Sequence, residues 1–310
     1  MNGNAAVDAC VREHPDLVLM DLALPEVDGV EATRLIMSAA PCAIVIMTAN
    51  IGANASRVYE AMGYGALDVV VVPAAGPVET SADSARLLAK IETIRKLVGV
   101  GTPVDPRRRA YVKHVPPADL VAIGASAGGP SALAVLLSGL PRSFPGAVVI
   151  VQHVDQQFTA GMANWLNGRS LLPVRVAQEG DAPAAGAVLL AATDGHLSLN
   201  RAGLLGYSVE PAGYTYRPSI DVFFRSVSRY WRGRAVGVVL TGMGRDGAFG
   251  LKALREAGWP TIAQDERSSA VYGMPKAAAA LGAAEVLPLD RIAPRLSALC
   301  GEPTALGLAT

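Results

Sequence analysis

Aromatic residues, cysteines and long apolar runs are scarce in this 310-residue chain. Aromatic residues make up only 5%, so the core must be built from Ala, Val, Leu and Ile. The three cysteines, Cys10, Cys42 and Cys300, are odd in number, far apart and without metal-ligand spacing, which is typical of incidental thiols in a cytoplasmic protein. No apolar run is long enough to span a bilayer, and no basic segment precedes an apolar one at the N-terminus. We therefore expect neither membrane insertion nor a signal peptide.

Net charge is also lacking, although the zero total hides an uneven distribution. Residues 1–97 carry a net charge of −5, residues 98–118 carry +3, and residues 119–310 carry +2. No segment has the dense basic stripe of a nucleic-acid binder, so we expect no nucleic-acid partner. Hydrophobic residues make up 51% and charged residues 17%, which excludes a disordered chain and indicates a sizeable core.

The pattern of the chain predicts two domains, at 1–97 and 119–300, with a tail at 301–310. Residues 98–118 hold four prolines, a basic run at Arg107–Arg109 and no apolar period, which indicates a linker. The basic run is consistent with a solvated hinge or with a strip that docks on the acidic N-terminal domain. Strands alternate with helices on both sides of the linker, which predicts parallel sheets covered by helices, the α/β class.

The predicted elements are short and closely spaced. Upstream of the linker we expect helices at 4–13, 27–39, 55–62 and 84–97, and strands at 16–20, 43–47 and 68–72. Downstream we expect strands at 120–125, 147–151, 174–177, 236–240, 261–264 and 286–287, and helices at 130–137, 160–166, 220–230, 248–257 and 276–281. Residues 187–192 and 196–200 flank Thr193-Asp194-Gly195, which predicts a hairpin with His196 at its surface.

The most informative segment is LVAIGASAGGP at 120–130, where a buried strand runs into a glycine-rich turn. Gly124-x-Ser126-x-Gly128 has the spacing of a nucleophile elbow, and the following helix offers free amides for an oxyanion. Two other interpretations stay open. A glycine-rich phosphate loop is one, although the dinucleotide pattern requires glycine where Ser126 stands. A packing turn without chemistry is the other.

Two further residues could complete a catalytic triad with Ser126. His153 follows the apolar strand at 147–151, and Asp246 lies in a glycine-rich loop after the strand at 236–240. A histidine at a strand end is often only structural, and an aspartate before a helix is a common cap. Three candidates that follow three strand ends nevertheless make a Ser-His-Asp arrangement plausible.

Several blocks of the sequence resemble a known family. The blocks VAIGASAGGP, VVIVQHV, VVLTGMGRDGAFGLKAL and AQDERSSAVYGMPKAA are similar to the chemotaxis protein-glutamate methylesterases. LVLMDLALPEVDGVEATR and AMGYGALDVV resemble the attached receiver domain of a response regulator. The likeness is greatest to the branch that serves surface-sensing pathways. It implies a flavodoxin-like receiver domain followed by a doubly wound parallel-sheet methylesterase domain.

The resemblance implies hydrolysis of glutamate γ-methyl esters on methyl-accepting receptors, with glutamine deamidation in some members. It gives the catalytic roles to Ser126, His153 and Asp246, and makes the backbone at Ala127 and Met243 our oxyanion candidates. Ala127 stands where the family often has threonine. The implied partners are the cytoplasmic domain of a chemoreceptor and a chemotaxis-type histidine kinase, and neither a metal nor an organic cofactor is implied.

For the N-terminal domain, the resemblance makes Asp21 the phosphoryl acceptor and Thr48 the family's hydroxyl position. Two departures weaken the expectation of phosphorylation. Too few residues precede Asp21 to supply the first strand with its Mg²⁺-binding acidic pair, and Val72 replaces the lysine before Pro73. We therefore expect a receiver truncated to begin at its second helix, with inefficient phosphorylation of Asp21.

Two functions from other classes remain to be distinguished from the esterase. One is a non-catalytic signalling module that binds a receptor or a methyltransferase through the same surface. The other is a nucleotide-binding protein that uses Gly124–Gly129. Methanol release from methylated receptors separates the esterase from the first, and nucleotide titration tests the second.

Overall fold

A computed structural model describes residues 2–49, 51–71, 88, 91, 118–192 and 194–301. The helix predicted over 84–97 lies outside this part except for Leu88 and Ile91, and the predicted linker lies outside it except for Ala118. Val72, Pro73 and the tail beyond Gly301 also lie outside it.

The N-terminal unit is a three-stranded parallel sheet with the order β1-β2-β3, accompanied by helices. Apolar residues of its strands and helices, such as Met20, Ile36 and Ile44, are buried together. Asp28 begins the second helix, because its carboxylate accepts hydrogen bonds from the amides of Val30 and Glu31 at 3.0 Å each. The elements are α1 Gly3–Glu13, β1 Leu17–Asp21, α2 Gly29–Ala39, β2 Ala43–Thr48, α3 Ile51–Gly63 and β3 Asp68–Val71.

The C-terminal unit is built on a seven-stranded parallel sheet with the order β12-β11-β10-β4-β5-β7-β6, and it includes a separate antiparallel pair, β8-β9. Its elements in chain order are β4 Leu120–Ala125, α4 Gly129–Ser138, β5 Ala147–Gln152, α5 Gln156–Asn167, β6 Val174–Val176, β7 Val188–Leu190, β8 His196–Leu199, β9 Leu205–Ser208, α6 Ile220–Tyr230, β10 Ala235–Val239, α7 Ala248–Glu256, β11 Thr261–Gln264, α8 Met274–Ala280, β12 Glu285–Leu287 and α9 Leu289–Gly301.

Both faces of this sheet are covered by helices. Every residue of β4 is buried, and successive side chains point to opposite faces. Ile123 packs in one apolar cluster with Leu133 of α4, whereas Ala122 packs in another with Phe223 of α6. This two-sided burial explains why the central strands are continuous apolar runs, and it confirms the α/β, parallel-sheet prediction.

The hairpin predicted around Thr193-Asp194-Gly195 is wrong. The apolar run before this segment contains β7, which pairs in parallel with β5 and β6 inside the main sheet. The run after it contains β8, which pairs with β9 instead, across a turn that Asn200 closes by accepting from the amide of Ala202 at 2.8 Å. His196, predicted at the surface, is fully buried because β8 packs against α6.

The two units touch along α3, which packs against α4 and α5. Tyr59 of α3 donates a hydrogen bond to the carbonyl of Phe158 at 2.8 Å. The amide of Gly128 donates to the carbonyl of Met62 at 2.7 Å, so the end of α3 lies against the loop that follows β4. Among the described residues, no helix has the length and apolar character needed to cross a membrane.

Candidate active site

The sheet brings the strand ends of the three candidate residues together. The central strands β10, β4 and β5 are neighbours, and Ala125 pairs with Gln152 in the parallel register. Ser126 and His153 are the next residues on β4 and β5, so they lie side by side at the carboxyl edge. Asp246 comes from the loop after β10 at the same edge, which is where ligands bind in open α/β sheets.

Ser126 is held in a tight turn between β4 and α4. Its amide donates to the carbonyl of Thr241 at 3.0 Å, and its carbonyl accepts from Gln152 Nε2 at 2.9 Å. Gly128 caps α4 with φ of 74°, a conformation that favours glycine. A Cβ on Gly242 would lie only 2.7 Å from Ser126 Cβ, so a side chain there would displace the serine.

His153 is joined to Asp246 by a hydrogen bond of 2.8 Å between Nε2 and Oδ2. Its ring also stacks on Tyr216, with centroids 3.8 Å apart and planes inclined by 16°. The other ring nitrogen, Nδ1, is buried and has no hydrogen-bond partner among the described residues. Consequently the structure brings His153 and Asp246 together, and it places Ser126 on the adjacent strand end without a hydrogen bond to the imidazole.

Asp246 is the most heavily hydrogen-bonded carboxylate of the site. Its Oδ2 accepts from the amide of Ile220 at 2.7 Å, and its Oδ1 accepts from the amides of Asp221 and Gly247 at 3.0 Å each. Burial raises the pKa of Asp246, but hydrogen bonds from His153 and from the amides of Ile220 and Asp221 outweigh burial and hold that pKa below its usual range.

The ionised state of Asp246 fixes the tautomer of the imidazole. A carboxylate can only accept, so Nε2 of His153 carries the proton in this hydrogen bond. Nδ1 then has a free lone pair, and it is the ring nitrogen that can take a proton from Ser126. This geometry is suited to a serine nucleophile with a histidine base.

The two oxyanion candidates lie in two loops that meet beside Ser126. Ala127 follows it directly, and Met243 lies in the loop between β10 and α7. Within the part of the chain that the structure describes, neither amide donates a hydrogen bond. The carbonyl of Ala127 accepts from Thr241 Oγ1 at 2.9 Å, which ties the two loops together. Both N–H groups are thus available to a developing negative charge.

Two further residues of the site, Tyr216 and Ser219, are not predicted by the sequence pattern. Tyr216 forms one wall against His153, and burial raises the pKa of its phenol. Ser219 Oγ donates to Asp246 Oδ1 at 2.9 Å. The segment Arg217-Pro218-Ser219 before a predicted helix contained a signal for a helix cap, but a cap signal does not indicate a contact with Asp246.

Residues 121–296 match the CheB methylesterase family. The chain belongs to that family.

The CheB methylesterase assignment is supported by similar proteins that extend over nearly the whole chain. The chain is 59% identical over 300 residues to "Protein-glutamate methylesterase/protein-glutamine glutaminase 4" of Burkholderia thailandensis, an alignment that covers 96% of this chain and 88% of the relative. It is 58% identical over 299 residues to a similarly named protein of Pseudomonas syringae pv. syringae, with 95% and 88% covered. The CheB methylesterase catalytic domain of Thermotoga maritima is 33% identical, with a TM-score of 0.57, and covers 60% of this chain and 100% of that one.

The N-terminal part of this CheB family member matches the response regulator receiver domain over residues 1–76. Asp21, the predicted acceptor, is the last residue of β1, and its Oδ1 accepts from the amide of Ala23 at 2.9 Å. Thr48 ends the neighbouring strand β2 and accepts from Asn54 Nδ2 at 3.1 Å. The two residues therefore lie at the same edge of the small sheet, and phosphorylation of Asp21 stays a prediction.

Proposed function

We propose that this chain hydrolyses glutamate γ-methyl esters on the cytoplasmic domain of methyl-accepting chemoreceptors, with Ser126, His153 and Asp246 as its triad. The observation that carries the proposal is the His153–Asp246 hydrogen bond, which leaves Nδ1 without a hydrogen-bond partner among the described residues, beside the strand end that bears Ser126.

The first half of the reaction transfers the glutamyl group to the enzyme. Ser126 Oγ attacks the γ-carbonyl carbon as His153 Nδ1 takes the hydroxyl proton, and Asp246 stabilises the imidazolium that forms. The amides of Ala127 and Met243 donate to the oxyanion of the tetrahedral intermediate. The C–O bond to the methoxy group then breaks, and His153 returns the proton so that methanol leaves.

The second half restores the enzyme. His153 takes a proton from water, whose oxygen attacks the acyl carbon, and the bond to Ser126 Oγ breaks as the proton passes back to the serine. Free glutamate side chain is the product. The same sequence with ammonia as the leaving group deamidates glutamine, and the names of the Burkholderia and Pseudomonas relatives, which include protein-glutamine glutaminase, favour that second activity.

The decisive experiment is methanol release from receptor membranes carrying radiolabelled methyl esters. We expect release with the full chain and none above background with Ser126→Ala. Binding of receptor without methanol release would instead identify a non-catalytic signalling module. Saturable nucleotide binding that Ser126→Ala leaves intact, again without methanol release, would support a phosphate loop at Gly124–Gly129.

We also propose that a chemotaxis-type histidine kinase is the partner of the N-terminal unit and that Asp21 accepts its phosphoryl group only inefficiently. The receiver match and the position of Asp21 beside Thr48 support this. Transfer of radiolabelled phosphate from such a kinase should label the wild-type chain only weakly and leave Asp21→Asn unlabelled. Equal labelling of both chains would exclude Asp21.

A further inference from the structure

The hydroxyl of Ser219 lies against the carboxylate of Asp246 at the start of α6. Ser219 is fully buried, and its Oγ donates to Asp246 Oδ1 at 2.9 Å. Asp246 receives two other kinds of hydrogen bond, from the imidazole of His153 and from backbone amides. The Ser219 hydroxyl is thus the one side-chain donor to Asp246, apart from the imidazole, among the described residues.

A second buried histidine also holds Ser219, through its backbone amide. The amide of Ser219 donates to His196 Nδ1 at 3.0 Å, and His196 Nε2 lies 3.1 Å from the carbonyl of Pro211. An amide can only donate and a carbonyl can only accept, so His196 is neutral with its proton on Nε2. Burial lowers the pKa of His196, which favours the same neutral form. Ser219 is therefore fixed between His196 and Asp246.

We infer that Ser219 is a positioning residue, which orients Asp246 and through it the imidazole of His153. The hydroxyl and the amides of Asp221 and Gly247 all donate to Oδ1, so this oxygen is anchored. The carboxylate plane is then fixed, and Oδ2 stays directed at Nε2 of His153. Without the hydroxyl the carboxylate has more freedom to rotate, and fewer imidazoles present Nδ1 to Ser126.

The chain offers a matched control on the same helix. Ser226 of α6 is also buried, and its Oγ accepts from the amide of Leu199 at 2.9 Å and donates to the carbonyl of Phe223 at 2.7 Å. Neither partner belongs to the site. Ser226→Ala therefore removes a buried, hydrogen-bonded serine hydroxyl from α6 without altering a donor to Asp246.

The experiment compares Ser219→Ala, Ser219→Cys and Ser226→Ala in the full chain, by kcat and KM for methyl-ester hydrolysis and by thermal unfolding. It also follows the downfield proton resonance of the His153 Nε2–H that is bonded to Asp246. For both Ser219 variants we expect kcat to fall roughly tenfold to a hundredfold with KM changed less than about twofold, because hydrogen bonds to charged groups are the strong ones. The resonance should move or broaden in these variants. Ser226→Ala should keep the wild-type kcat and resonance even where it lowers the melting temperature.

The inference rests on the proposed function for its kinetic arm alone. A wild-type chain that releases no methanol would overturn the proposed function, and the resonance would still decide the role of Ser219. A Ser219→Ala chain with kcat within twofold of wild type, a loss confined to KM, or an unmoved resonance would overturn the positioning role. If Ser219→Ala does not fold, Ser219→Cys carries the same comparison, because it keeps a side chain of similar shape with a poor donor.

Discussion

At the scale of single residues, the candidate site depends on which nitrogen of His153 is free. Asp246 occupies Nε2, and Nδ1 is buried without a hydrogen-bond partner among the described residues, a cost to stability that a catalytic role for the atom would explain. Proton transfer from Ser126 supplies that role in the proposed mechanism. The two predictions at this scale therefore concern the nucleophile and the tautomer.

Ser126→Ala should abolish the ester intermediate while leaving the fold intact, because alanine keeps the small volume that the turn beside Gly242 requires. Losing a triad nucleophile typically lowers the rate by about 10³-fold or more. Initial rates of methanol release, with circular dichroism to verify folding, measure this. A folded variant that retains more than about a tenth of the wild-type rate would show that another group is the nucleophile.

Asp246→Asn should act on the tautomer of His153. The asparagine amide can turn its N–H toward Nε2, which then accepts, and the imidazole proton moves to Nδ1, where it cannot take the serine proton. We expect kcat to fall by roughly 10³- to 10⁴-fold, as for the equivalent change in serine proteases. Nitrogen NMR of labelled histidine reports the tautomer directly. An unchanged tautomer with a lost rate would point to the charge of Asp246 instead.

At the scale of elements, α6 and α7 cap each other. Asp246, which precedes α7, accepts from the first amides of α6, whereas Asp221 in the first turn of α6 accepts from the amide of Gly250 in α7 at 2.6 Å. Gly247, the cap residue of α7, has no side chain to do this itself. The exchange satisfies helix-end amides with two buried carboxyl groups and joins the two helices at the site.

This arrangement predicts a pH-dependent stability centred on Asp221. Burial and the nearby charge of Asp246 raise the pKa of Asp221 to about 7. Between roughly pH 4 and 7 the folded chain thus keeps a proton that the unfolded chain has released, so the contribution of Asp221 to stability falls as pH rises. Asparagine at this position is neutral at every pH. We therefore expect Asp221→Asn to be more stable than wild type at pH 8 and to gain little stability at pH 4.

Thermal unfolding at the two pH values measures this gain. We expect Asp221→Asn to melt roughly 2–4 °C above wild type at pH 8, because a gain of about 1 kcal/mol in the free energy of unfolding corresponds to such a shift in a unit of this size. Asp290→Asn is the control, because Asp290 also lies in the first turn of a helix, α9, but is exposed. A gain of equal size at both pH values, or in Asp290→Asn as well, would argue against a buried, protonated Asp221.

The sequence allowed us to predict that the candidate residues follow strand ends. It did not allow us to predict which other residues contact them. Ser126 and His153 each directly follow a buried apolar strand, and Asp246 lies in the loop after another, which is a local signal that survives in the structure. Ser219 contacts Asp246 across 27 residues, and nothing in a helix-cap pattern specifies such a partner. His196 was misplaced because Thr193-Asp194-Gly195 has the composition of a hairpin turn, whereas β7 on its N-terminal side belongs to the main sheet.

At the scale of the whole molecule, the N-terminal unit lies against the turn that carries Ser126. The carbonyl of Met62 at the end of α3 accepts from the amide of Gly128, two residues beyond the serine, and Ser126 itself is only 3% exposed. In the proposed mechanism a receptor segment has to reach this buried hydroxyl. The position of α3 therefore predicts that weaker packing of α3 on α4 raises the rate of methanol release from receptor membranes.

Gly63→Ala is the sharpest way to weaken that docking. A Cβ at Gly63 would lie 1.9 Å from Ser131 Oγ and 2.9 Å from Ser131 Cβ, so either α4 or α3 has to give way. Overpacking of this kind costs about 1–3 kcal/mol, which corresponds to at least roughly fivefold in the docking equilibrium.

We expect methanol release from receptor membranes to rise in Gly63→Ala and to return toward the wild-type rate in Gly63→Ala/Ser131→Gly, which removes both clashing atoms. Ser131→Gly alone serves as the control, since it relieves no clash in the wild-type interface. An unchanged rate in a folded Gly63→Ala chain would mean that α3 does not limit access to Ser126, and an equal rise in Ser131→Gly alone would assign the effect to α4 instead.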